Sequence, residues 1–391
     1  MTALERRAAG SLASIFALRM LGLFLVLPVF MLEAHKYPGG DDPALIGLAM
    51  GLYGLTQAFL QMPFGMASDK WGRKPVMVIG LLLFAAGSLM AALAPTVTWL
   101  AAGRALQGSG AISAAVTAML ADQTRDVVRT KAMAIVGASI GLMFAVSLVA
   151  APVLASVLGL SGIFALTAVL ALVGIAIVLW WVPAEPAKHV DRGMGRVRDV
   201  LLDPALFRLN FGVFMLHAVQ LSMWMALPAL LVQAGLDKDH HWQVYLPAVL
   251  GSFFVMGGTL FPMERRGYLR AVFLSAIAVI ALVQVALWAL VPAGASVTAI
   301  AVILFVFFWG FNVLEASQPS FVSRVAPVSM RGTAMGVYNT LQSLGFFAGG
   351  AAGGWLVKST GPQGLFAVCF AAMLLWLVVA WPMRAPGKAT T

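Results

Sequence analysis

Four ionisable side chains stand inside long apolar runs of this 391-residue sequence: Arg19, Arg104, His217 and Glu315. An imidazole is the side chain whose ordinary titration falls between pH 5 and 8, so His217 is suited to taking up and returning a proton. Carboxyl groups at bilayer depth are the other common proton carriers, which brings in Glu315. A guanidinium stays charged and offers five hydrogen-bond donors. Arg19 and Arg104 can therefore assist proton movement or tie helices together. Plainer readings stand beside these: His217 as a hydrogen-bonded interior histidine, Glu315 as an ion pair with Arg324 or Arg19, and Arg104 as a structural hub.

These residues need elements to hold them, and composition says what kind. Hydrophobic residues make up 61% of the chain and charged ones 10%. A soluble domain carries about 25% charged residues, so water cannot be the main solvent here. The single cysteine, Cys369, rules out a disulfide scaffold. A bilayer core needs roughly 20 apolar residues per helical span. Twelve such runs are expected, at 12–33, 45–66, 75–94, 99–121, 132–156, 161–182, 206–233, 242–262, 269–291, 296–320, 332–356 and 363–383. Segments such as 81–93 and 271–291 are apolar on every face, which excludes the alternation of a β-barrel. The N-terminus reads as an uncleaved start to the first span.

The charges then fall into order. With the N-terminus inside, twenty of the 25 Lys and Arg lie in cytoplasmic segments and three, Lys36, Lys238 and Lys358, in the opposite loops. This positive-inside bias puts both termini in the cytoplasm and accounts for the net charge of +10 without nucleic acid. The stretch 183–205 divides the spans six and six, giving bundles at 1–182 and 206–391. The halves repeat weakly. Arg129–Ala134 returns as Arg331–Gly336, Asp69–Gly72 as Glu264–Gly267, and Leu27-Pro28 as Leu227-Pro228. The fold expected is an all-α membrane protein of twelve transmembrane helices in two pseudo-symmetric six-helix bundles.

Two motifs go further. The segment after the second span holds Gly65, Asp69, Lys70, Gly72, Arg73 and Lys74, and the fourth span opens with Arg104, Gln107 and Gly108. They resemble the signature loop G-x-x-x-D-[RK]-x-G-R-[RK] and the R-x-x-Q-G-x-G pattern of the Major Facilitator Superfamily. Arg19–Pro28 and Arg331–Tyr338 further resemble its YajR-type branch of drug/proton antiporters. Some members of that branch carry a C-terminal soluble domain, and none is expected here, where span twelve ends near 383. The resemblance implies a functional monomer in a bacterial-type inner membrane, moving a small molecule by alternating access. It implies a charge cluster of Asp69, Arg73 and Asp122, with Asp69 near the start of span eleven, just after Ser329-Met330. In the second half Tyr268 replaces Arg73 and Arg324 replaces Asp122, so that half's cluster is expected to be degraded.

The fifth span bears on direction. Gly137, Gly141 and Pro152 match part of an antiporter pattern, with Ala151 where a glycine would precede the proline. Small residues there allow close helix packing. The substrate cavity is expected among Gln57, Gln61, Gln220, Met223, Trp224, Trp309, Asn312, Asn339, Gln342 and Phe346. A pliable Met- and aromatic-rich lining suits varied amphipathic solutes. Proton-coupled efflux is the leading expectation, with a proton-coupled or facilitative importer and a non-transporting sensor as alternatives. No enzyme motif, cofactor or metal site is expected, and His240-His241 reads as a solvated loop.

Overall fold

A computed structural model describes residues 1–185, 197–294, 296–327 and 330–383. Helices α1 (Ala3–Phe24), α2 (Phe30–Ala34), α3 (Pro43–Trp71), α4 (Arg73–Ala92), α5 (Val97–Gly108), α6 (Ser113–Asp122) and α7 (Asp126–Ala176) precede a π-turn at Ile177–Trp181. Then come α8 (Val197–Leu202), α9 (Pro204–Trp224), α10 (Leu227–Gln233), α11 (Trp242–Arg265), α12 (Leu269–Ala293), α13 (Val297–Val325) and α14 (Arg331–Ala380). Among the described residues, nine stretches are long and apolar enough to span a bilayer. Two of them each hold two spans, and the paired short helices α5 and α6 make one more, which agrees with twelve.

The differences from the expected boundaries have local causes. Helix α1 begins at Ala3, well before residue 12, because Thr2 and Glu5 form a reciprocal capping box. Helix α3 is capped by Asp42 with Pro43 in its first turn and runs on to Trp71. Asp69 and Lys70 are thus in its last turn rather than in a loop. Span one breaks after Phe24, around Pro28, and span seven breaks after Trp224, at the turn before Pro228. The two Leu-Pro pairs of the repeat therefore mark the same interruption in each half. Spans five and six meet at Gly159 (φ 65°), and spans eleven and twelve at Gly361 (φ 71°), 202 residues later.

The chain divides into two compact units, Met1–Val190 and Asp191–Thr391. The middle of the expected linker, with Lys188, Arg192 and Arg196, lies outside the described residues, and its far end carries α8. In unit 1, Leu12, Ile15 and Phe16 of α1 bury against Met77 of α4, Met119 of α6 and Val178 of the π-turn. Lipid tails give apolar faces no reason to leave them, so close van der Waals contact must join the spans.

Unit 2 shows how. Gly345, Gly349 and Gly353 recur every fourth residue along α14. A Cβ on them would fall 2.5 Å from Phe214 O, 2.3 Å from Ala218 O and 3.0 Å from Ser222 Cα. Those partners are also spaced by four, on α9. The hydroxyl of Ser222 donates to Gly349 O at 3.0 Å. This contact sets the depth of α14 against α9, and with it the register of every side chain they share.

Gly349→Val should therefore push the two helices apart. Overpacking costs about 1–3 kcal/mol, to be seen as a lower unfolding midpoint of the purified protein in detergent. Gly257→Ala is the control, because a Cβ there meets nothing within 4 Å. Equal midpoints for the two variants would contradict the packing role.

Candidate functional site

The register of α9 and α14 brings three sequence-separated residues of unit 2 together. His217 lies on α9 and is 2% exposed. Its Nδ1 is 2.9 Å from the carbonyl of Val213, one turn back. A carbonyl only accepts, so the hydrogen-bond network assigns the neutral ring's hydrogen to Nδ1 and leaves Nε2 as acceptor. Gln342 of α14 donates to Nε2 at 2.8 Å, and its other amide hydrogen is placed for Glu315 Oε1 at 3.4 Å. Glu315 of α13 sets Oε2 3.4 Å from His217 Nε2, within ion-pair range but without a hydrogen bond. The rings of Phe346 and Phe311 stand edge-on to the imidazole at 4.8 and 5.9 Å. The carboxylate side chain is 39% exposed. A proton on Nε2 would thus face a carboxylate that has contact with its surroundings.

The expected partners of Glu315 are corrected. Arg324 pairs with Glu264 at 2.7 Å, and Arg19 is bonded elsewhere.

In unit 1, Arg19 is 1% exposed and, among the described residues, meets only neutral groups. It donates to Ser113 Oγ at 3.3 Å, Tyr53 Oη at 2.9 Å and Gln57 Oε1 at 3.2 Å, and lies 5.6 Å from the centre of the Phe84 ring. Arg104, equally buried, donates to Gln107 Oε1 and stands 4.8 Å over the ring of Tyr53. Gln107 passes the chain on to Ser88 at 2.8 Å. A Cβ on Gly108 would sit 2.1 Å from Tyr53 O, which is why the motif needs glycine after Gln107. Tyr53 joins the two arginines and was not singled out in the sequence. The available signal was its place one helical turn before Gln57 on α3.

The signature segment forms a clasp. Arg73 pairs with Asp69 on α3 and, at 3.3 Å, with Asp122 at the end of α6, and it donates to Ser68 Oγ at 2.7 Å. Gly72 holds φ at 103°, between α3 and α4. Glu185, also not singled out, seals the turn. Its Oε1 accepts from Lys74 N at 2.7 Å, while Lys74 Nζ donates to Val182 O. Lys70 is exposed at the end of α3, and a Cβ added at Gly65 would meet Ala114 Cβ at an ordinary 3.6 Å. Ser329, which precedes the expected neighbour of Asp69, is outside the described residues.

The second half has kept the device rather than lost it. Asp69 and Asp122 share a sign and need Arg73 between them. Glu264 and Arg324 stand at the corresponding places with opposite signs and pair directly. Tyr268, at the place of Arg73, is left exposed. Exposed pairs contribute only about 0–1 kcal/mol, so both clasps position helix ends more than they stabilise the fold.

Other expected site residues scatter. Met223 and Trp224 are packed inside unit 2: Gln284 donates to Met223 Sδ, and Trp224 lies edge-on to Tyr245 at 5.3 Å. Asn312 donates to Ser252 Oγ and Trp309 to Thr259 Oγ1. Gln61 and Gln220 are buried with side-chain oxygens unpaired, while Asn339 is half-buried. Gly137 faces open space, Gly141 is half-buried, and α7 continues through Pro152 to turn at Gly159. Close packing at Gly137 is therefore corrected. So is the solvated reading of the histidine pair. His240 is exposed, but His241 is buried with Nε2 3.2 Å from Leu236 O.

Two bundles of apolar spans, each with polar side chains at depth and a charged clasp, define a membrane transport protein. Residues 8–350 and 263–391 match the family model of the Major Facilitator Superfamily. The chain belongs to that superfamily, and so is a multi-pass membrane transporter and not an enzyme. It is 43% identical over 99% of its length to the inner membrane transport protein YajR of Escherichia coli, of which it covers 85%. It is 26% identical over 88% of its length to the multidrug resistance protein MdtH of Aeromonas salmonicida, covering 86%. A solved structure of the nucleoside transporter NupG superposes with a TM-score of 0.74 at 17% identity, covering 98% of this chain and all of that one.

Asp69→Asn should weaken the Arg73 clasp and lower transport severalfold in vesicles, while membrane insertion and the unfolding midpoint stay unchanged. Wild-type transport by this variant would reduce the segment to a topological role.

Proposed function

We propose that the protein exports small amphipathic molecules across the inner membrane in exchange for protons. It works as a monomer by alternating access, with both termini in the cytoplasm and no cofactor. The observation that carries this reading is the His217–Gln342–Glu315 cluster. Titratable groups inside a membrane are costly and mark proton paths. His217 has one committed ring nitrogen and one exchangeable one, and the exchangeable one faces a carboxylate at 3.4 Å.

The chemistry follows from hydrogen-bond roles. With His217 neutral, Gln342 donates to Nε2 and reaches Glu315 with its second hydrogen. When Nε2 takes a proton it becomes a donor, so the Gln342 bond is lost and the new N–H turns to Glu315 Oε2. Proton uptake thus exchanges an α9–α14 bond for an α9–α13 ion pair. A side chain common to three helices is a means of coupling protonation to their movement. Release of the proton restores the first arrangement. Similarity to a multidrug resistance protein supports export, and the Met- and aromatic-rich spans support amphipathic cargo.

Purified protein in vesicles with an imposed pH gradient tests the reading. A panel of amphipathic dyes should drive proton flux in the wild type. His217→Gln and Glu315→Gln should bring that flux to background while leaving dye exchange at equal pH. Normal coupling in both variants would remove the proton assignment. Dye movement without proton flux in the wild type would favour a facilitative carrier.

A further inference from the structure

Unit 1 holds a charge that its own residues do not neutralise. A guanidinium withdrawn from water costs several kcal/mol unless an opposite charge or a full set of acceptors compensates. Arg19 has three neutral oxygens, from Ser113, Tyr53 and Gln57, and no carboxylate among the described residues lies within ion-pair distance of it. Its Nε is buried with no acceptor. The second cation, Arg104, also has no carboxylate within ion-pair distance among the described residues, and its Nε is likewise unpaired. Its head is closed in by Gln107 and the Tyr53 ring. Both cations thus converge on Tyr53, and their positive potential adds in a low-dielectric interior. The surrounding hydroxyls have the right polarity for an anion. Tyr53 Oη and Ser113 Oγ each accept from Arg19, which leaves their own hydrogens to donate. Ser113 and Gln57 are half-buried, so this group of polar side chains is not sealed.

We propose that Arg19, with Tyr53 and Ser113, is an oxyanion subsite, and that the cargo is an amphipathic molecule bearing a carboxylate or similar singly charged head. The cargo completes the charge balance of unit 1 when it binds, and its apolar body meets the apolar remainder of the pathway. This rests on the transporter reading and narrows its substrate class. Arg suits the task better than Lys because its planar fork stays charged and matches the two oxygens of a carboxylate.

The test is equilibrium binding to the purified full chain in detergent. The probes are three compounds of one shape: 1-naphthoate, its neutral amide 1-naphthamide, and the cation 1-naphthylmethylammonium. A charge-assisted contact predicts that the carboxylate binds about tenfold or more tighter than the amide. Arg19→Gln should erase that preference while leaving the affinity for 1-naphthamide and the unfolding midpoint in place. Arg19→Lys should retain part of it, and Ser113→Ala, which keeps both cations, should weaken the carboxylate alone by severalfold. Equal binding of the three probes, binding of none, or a preference that survives Arg19→Gln would overturn the proposal. If Arg19→Gln does not fold, Arg19→Lys and Ser113→Ala decide by the same comparison. Binding at one pH needs no proton gradient. Loss of coupling with the carboxylate preference intact would therefore remove the antiport reading and leave the subsite.

Discussion

A polar group inside hydrocarbon has no water to fall back on, and this chain has very few polar groups to spare. Its backbone solves the problem by forming helices, which satisfy N–H and C=O within each span. Many of its side chains answer it with small hydrogen-bonded sets. Arg104 is held by Gln107, and Gln107 by Ser88. His217 is held by Val213 and Gln342. Asn312 is held by Ser252. Each set joins helices that apolar packing alone would leave free to slide, and each therefore depends on how closely those helices approach.

Close approach comes from glycine. The stripe Gly345, Gly349 and Gly353 lets α14 meet the backbone of α9, and this brings Gln342 within 2.8 Å of His217. In unit 1, Gly108 against Tyr53 O places Arg104 over the Tyr53 ring. The buried polar residues of both units are thus positioned by residues with no side chain.

The two units use one plan with different charges. Unit 1 holds its buried cations with neutral partners, while unit 2 holds a histidine beside a carboxylate. At the helix ends, Asp69, Arg73 and Asp122 in one unit answer to Glu264 and Arg324 in the other. Reading the second half as a damaged copy misses that a charge can move to the facing helix and still close the clasp. The pattern compares residues position by position, whereas the ion pair depends on the sum of charges at one place.

Much was legible from the chain alone. Apolar length and the scarcity of charge dictate twelve helices, because a bilayer offers no other economical fold. The repeat paired Leu27-Pro28 with Leu227-Pro228, where spans one and seven break. The loop motif named Asp69 and Arg73, the family resemblance added Asp122, and rarity singled out Arg19, Arg104, His217 and Glu315. Partners were another matter. Met223 and Trp224 look like cavity residues by type, yet the rotation of α9 packs them against Gln284 and Tyr245. Tyr53, Glu185 and the role of Gln342 emerged only in three dimensions. Period and composition determine which segments are helices and which residues are expensive to bury. Which of them touch is decided by helix rotation and depth, and those are set by side-chain contacts between segments a hundred residues apart.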